Sequence, residues 1–111
     1  MIKLIDDLLE KMNDILGDYK LKYNKHYIGL ERNGAANNFI SFKPRKSSII
    51  FQARLSKTDE IDSEIEGSEL DELEYEKRWR QYRFRINKVD LTKNIDVLKK
   101  ITTQAKDEYG N

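Results

Sequence analysis

The sequence predicts an α+β fold: an antiparallel sheet of about four strands with N- and C-terminal helices packed on one face, in the order α-β-β-β-(α)-β-α. Three observations carry that expectation. Apolar residues recur at helical spacing near both ends, they alternate with polar residues in four short runs between, and turn-forming residues separate those runs. With 111 residues, the chain is expected to form one domain over residues 1–111.

The first helix is read over residues 2–16. Ile5, Leu8, Leu9, Met12, Ile15 and Leu16 share one face, Asp6, Asp7, Glu10, Lys11 and Asp14 the other, and Gly17 stands where a C-cap glycine belongs. Residues 18–26 give no clear period. Ile28 and Leu30 then alternate with Tyr27, Gly29 and Glu31 in a strand that ends at Asn33-Gly34, a dipeptide suited to positive φ. A second strand over residues 38–43 alternates Ile40 and Phe42 with Phe39, Ser41 and Lys43, and Pro44 closes it. After the turn at residues 44–47, Ile49, Phe51, Ala53 and Leu55 mark a third strand, completing a meander.

From Thr58 to Glu76 the chain carries ten acidic residues and no basic one. Ile61 and Ile65, one helical turn apart, predict a short helix ending at Gly67. Residues 80–86 alternate cleanly, Tyr82, Phe84 and Ile86 against Gln81, Arg83 and Arg85, and form the fourth strand. Asp90 is the expected cap of a final helix whose inner stripe is Ile95, Leu98, Ile101, Thr102 and Ala105, with Tyr109 at its end.

Composition narrows the class. Charged residues make up 37% of the chain and hydrophobic ones 38%, which predicts a small core under a charged surface. Six Tyr, four Phe and one Trp beside a net charge of +1 argue against disorder. The absence of cysteine removes disulfides, thiolate metal sites and cysteine nucleophiles, and fits a reducing compartment. No apolar run approaches the ~18 residues of a membrane span, and the N-terminal run lacks a signal peptide's apolar centre. A cytoplasmic location without membrane contact is therefore expected.

Catalytic chemistry finds little support, and no catalytic residue, metal-ligand set or cofactor is assigned. His26 is the only histidine, and no serine lies in a nucleophile-elbow setting that could use it as a base. The acidic stretch lacks the glycine and ligand alternation of a calcium loop, so it reads as a solvated face. Glu76 beside Lys77 does not reproduce a metal-dependent nuclease site, and Gly29, Gly34 and Gly67 are too isolated to cradle a phosphate.

The strongest non-random feature is charge segregation. The acidic stretch runs into Lys77, Arg78, Arg80, Arg83, Arg85 and Lys88, and a smaller basic cluster, Lys43, Arg45 and Lys46, marks the turn between strands two and three. Strand parity places Lys43, Gln52, Arg54, Gln81, Arg83 and Arg85 on the solvent side of the sheet with Ser41 and Phe39. Such a face can hold phosphates and stack a base, which makes Lys43, Arg45, Lys46, Arg54, Arg78, Trp79, Arg83 and Arg85 the candidate nucleic-acid contacts. The competing expectation is that the arginines pair with the acidic segment 59–76 inside the molecule, and the small net charge weighs toward it. Phe42, Phe51, Tyr82 and Phe84 read as core.

The run Phe39-Ile40-Ser41-Phe42-Lys43-Pro44-Arg45-Lys46, the run Lys77 to Ile86, the segment Asp90-Leu91-Thr92-Lys93-Asn94 and the late Ala105 and Tyr109 resemble a small bacterial domain of unknown function. That domain is found alone or at the C-terminus of predicted transport proteins and of proteins associated with restriction or DNA modification. The resemblance spans about residues 26–110. It implies the same element order and an accessory role, and it carries over no catalytic residue. The functional expectation is a non-catalytic binding or interaction module with a protein partner or the domains of a parent protein. Nucleic-acid binding on the basic sheet face is the alternative, an enzyme with an unrecognised site the third reading. Unpaired strand edges also make a homodimer an expectation.

Overall fold

The computed structural model describes residues 2–109. Met1, Gly110 and Asn111, at the limits of the 1–111 span, lie outside the described residues. The elements run α1 (Ile2–Lys11), α2 (Asn13–Leu16), β1 (Lys20–Tyr23), β2 (Ile28–Arg32), β3 (Ala35–Ala36), β4 (Ile40–Pro44), β5 (Ile49–Arg54), α3 (Asp59–Glu66), β6 (Asp71–Glu76), β7 (Gln81–Ile86), α4 (Lys88–Lys93) and α5 (Ile95–Tyr109). Among the described residues the fold is mixed α+β with an open antiparallel sheet, but of seven strands and with five helices. Six strands follow the order β1-β2-β4-β5-β7-β6, and β3 pairs with β2.

The four-strand expectation therefore falls short by β1, β3 and β6. β1 pairs with β2 from Lys20 opposite Glu31 to Tyr23 opposite Ile28, at one edge of the sheet. β6, built from the acidic Asp71–Glu76 run, pairs with β7 at the other edge. The meander itself is present as β2, β4 and β5, side by side. Asn33 and Gly34 both have positive φ, 55° and 80°, the conformation that a two-residue hairpin turn requires.

The terminal helices also differ in detail. The first breaks at Met12, and Gly17 ends α2 in the right-handed helical region, not the left-handed one. The last breaks at the buried Asn94, whose side-chain oxygen accepts from Glu69 N at 3.0 Å while its amide donates to Asp90 O at 3.0 Å. The cap of α4 is Asn87 and not Asp90. Asn87 accepts from Asp90 N, and Asp90 returns the bond to Asn87 N, a reciprocal capping box. Thr58 caps α3 through Ile61 N.

One face of the sheet is buried. Phe42, Phe51 and Phe84 stand opposite one another across β4, β5 and β7, fully buried, and Ile40, Ala53 and Tyr82 form the next row. α5 packs against β4 and β5, and its Leu98, Ile101 and Ala105 join Leu4, Ile5 and Leu8 of α1, and Met12 at the break after it, in the same core. The four aromatics read as core are all in it. Phe39 is there too, 1% exposed and edge-on to Tyr19 at 5.2 Å, not on the solvent side. The regular strand starts only at Ile40, so alternation does not extend back to it. The Thr102 hydroxyl is buried without a hydrogen-bond partner among the described residues. No helix among the described residues is long and apolar enough to cross a membrane.

Candidate functional site: the open face of the sheet

The opposite face of the sheet carries the residues of the other parity. Ser41, Gln52, Arg83 and Leu73 form one row across β4, β5, β7 and β6. Arg54, Gln81 and Glu76 form the next row, and Lys43, Ile50, Arg85 and Asp71 flank it on the other side. Above the central row lies a groove of about 510 Å³, floored by Ser41 and Gln52. Its walls carry Lys43, Arg54, Arg83, Gln81, Glu76 and Trp79, with Tyr27 and Asn38 closing the β2 side. The volume falls within the range of pockets that hold small molecules.

Each wall has a local cause. Asn38 lies where the ladder between β2 and β4 has shrunk to one registered pair, Ile28 opposite Phe42. Its side-chain oxygen accepts from Leu30 N at 3.1 Å, and its amide donates to the Tyr27 hydroxyl at 3.3 Å. A Cβ at Gly29 would overlap that side-chain oxygen, so glycine is what lets Asn38 reach in. On the floor, the Ser41 hydroxyl donates to Gln52 Oε1 at 3.2 Å. That contact fixes the amide and leaves its nitrogen without a protein acceptor among the described residues.

Trp79 is held over the other end by the four-residue turn between β6 and β7. Arg80 in that turn has φ of 54°, a left-handed conformation that a side chain adopts only at a cost. Its carbonyl accepts from Leu55 N at 2.9 Å, and Arg78 N donates to Glu76 Oε1 at 2.9 Å, tying both ends of the turn. Trp79 is 53% exposed and carries the Arg78 guanidinium over its ring at 5.1 Å.

The electrostatics of the groove are one-sided. Three cations, Lys43, Arg54 and Arg83, share it with a single carboxylate, Glu76, and none of the three makes an ion pair among the described residues. Arg54 instead lies over the Tyr109 ring at 5.0 Å. Arg83 is half-buried and its Nε is shielded from solvent with no hydrogen-bond partner among the described residues. An unpaired polar atom of that kind costs stability.

The acidic segment does not neutralise this face. Where β6 lies against β7, Asp71 meets Arg85 at 3.5 Å, but Leu73 is the residue opposite Arg83. Glu76, at the end of the segment, lines the groove without an ion pair among the described residues, and four other carboxylates turn elsewhere. Asp62 takes Lys57 at 2.8 Å and the Tyr82 hydroxyl at 2.9 Å, Glu60 and Glu64 take Lys100, and Glu69 takes Lys93. The hydrogen bond from Lys57 holds the Asp62 carboxyl below its ordinary range, and the same bond raises Lys57. Burial pushes the Tyr82 hydroxyl strongly up, and it pushes Glu72 up as well.

Of the sequence candidates, Lys43, Arg54, Trp79 and Arg83 line the groove. Arg85 lies beside it, paired with Asp71, and Arg78 covers Trp79. Arg45 and Lys46 are exposed on the turn after β4, away from the groove, with the Arg45 guanidinium on Pro44 O. Tyr27, Asn38 and Glu76 are the groove residues that sequence reasoning did not place on this face, and nothing in the alternation of the expected strands singled them out. His26 is exposed in the turn between β1 and β2 and does not line the groove. Among the described residues no cluster of His, Asp or Glu is placed to hold a metal ion. Comparison of the chain with family models, curated proteins and solved structures finds no match.

Proposed function

We propose that this protein is a non-catalytic binding module that holds a phosphate-bearing ligand on the open face of its sheet. The observation that carries the reading is the set of three groove cations, Lys43, Arg54 and Arg83, none of which makes an ion pair among the described residues of a chain rich in carboxylates. Guanidinium groups suit this task because their planar donor fork matches two phosphate oxygens at once. The polar floor of Ser41 and Gln52 supplies further hydrogen-bonding groups without charge. A net charge of +1 gives no general attraction for polyanions, so affinity has to come from this local concentration of cations.

The reading is tested by calorimetry with short polyphosphate and with poly-glutamate of matched charge, at low and at physiological salt. Polyphosphate binding that weakens with salt and falls in Arg83→Gln is the expected result. Tighter binding of poly-glutamate would replace the reading with an acidic protein partner. Failure of both to bind at low salt would end it.

A further inference from the structure

Resting on that phosphate-binding reading, we infer that the groove recognises a nucleotide unit, with its base stacked on Trp79 and its phosphate among Arg54, Arg83 and Lys43. A groove built only for phosphate has no use for a half-exposed indole at its rim. Trp79 is 53% exposed, yet it lines the groove and is set there by a turn that holds Arg80 in a costly left-handed conformation. The Arg78 guanidinium at 5.1 Å covers one side of the indole, so a flat ligand completes a layered stack of cation, indole and ligand ring.

Two amides share the rows of the cations: Gln81 lies in the row of Arg54 and Gln52 in the row of Arg83. Gln81 lines the groove one row from Arg83 and makes no side-chain hydrogen bond among the described residues. The Gln52 amide nitrogen likewise makes no hydrogen bond among the described residues, on a groove floor where the residue is 7% exposed. Amide groups offer a donor and an acceptor together, the combination that pairs with the edge of a base. Free phosphate would use neither. The groove volume of about 510 Å³ admits a base, sugar and phosphate together.

Two sources share this chemistry: a free nucleotide, or one unit of a single strand crossing the sheet. Trp79 is the only tryptophan of the chain, so its fluorescence reports the stack directly. The full chain is titrated with an oligothymidylate of about eight nucleotides, within the usual site size of single-strand binders. An abasic strand of equal length, thymidine monophosphate and polyphosphate are titrated beside it. Quenching by oligothymidylate, with none from the abasic strand or polyphosphate although both compete for the groove, is the expected result. Equal quenching by the monophosphate per nucleotide assigns the site to free nucleotides, and quenching by the oligomer alone assigns it to a strand.

Trp79→Ala is then followed by anisotropy of a labelled strand. It weakens the oligothymidylate about 5- to 150-fold and leaves the abasic strand unchanged, whereas Trp79→Phe retains most of the affinity. Equal affinity for the abasic strand and the oligomer, with no quenching by either, overturns this inference and leaves phosphate binding standing. Absence of binding by polyphosphate as well overturns both.

Discussion

The acidic stretch from Thr58 to Glu76 and the open face of the sheet are built from opposite charges, and they differ in whether those charges find partners. On the acidic side Asp62 is fixed by Lys57 and Tyr82, Glu64 by Lys100, and Glu69 by Lys93. On the basic side Lys43, Arg54 and Arg83 make no ion pair among the described residues, even though an acidic strand lies next to β7. The register explains the contrast: it sets Asp71 beside Arg85 and Leu73 beside Arg83. Charge segregation in the sequence is therefore not one feature but two, a structural network around α3 and a groove whose cations make no ion pair among the described residues.

The two regions should respond oppositely to mutation. Asp62→Ala removes the acceptor of both Lys57 and the buried Tyr82 hydroxyl, and should destabilise the fold by about 1–2 kcal/mol in urea denaturation. Arg83→Leu removes a shielded, unpartnered Nε and places an apolar side chain opposite Leu73, so stability should hold or rise by up to about 1 kcal/mol while anion binding falls. A loss of stability in Arg83→Leu as large as that in Asp62→Ala would erase the contrast.

Acidity separates the regions next. The folded-state pKa of Asp62 lies below the ordinary 3.8, so its contribution to stability is complete above that value and is lost as pH falls through the folded one. Lys57 is raised above its ordinary 10.5, and its contribution is complete below that value and lost as pH rises beyond it. A thermal-melting profile against pH should therefore lose part of its acid limb in Asp62→Ala and keep it in Arg83→Leu. The smallest effect on stability belongs to Asp71→Asn. The pair it breaks is exposed, worth no more than about 0.5 kcal/mol, but it frees Arg85 beside the groove and should strengthen polyphosphate binding.

The central strands were legible because both of their faces obey a simple period. Burial of Ile40, Phe42, Phe51, Ala53, Tyr82 and Phe84 leaves the intervening Ser41, Gln52 and Arg83 on the other face, and the groove floor follows from parity alone. β6 was hidden because carboxylates are poor strand formers and because its register shifts between Leu73 and Glu76, which breaks the alternation. β1 has four residues at an edge, too few to show a period. Phe39 was misplaced because it precedes the first regular residue of β4. Asn38 and Tyr27 entered the site through side-chain bonds between non-adjacent residues, which no local pattern encodes.

The account rests on Arg83 being reserved for phosphate, and the salt dependence of binding tests that most directly. For polyphosphate the logarithm of the affinity should fall linearly with the logarithm of salt concentration, and Arg83→Gln should reduce the magnitude of that slope by about one while the protein stays as stable as the wild type. An unchanged slope, or a clear loss of stability, would mean that Arg83 serves the fold and not a ligand.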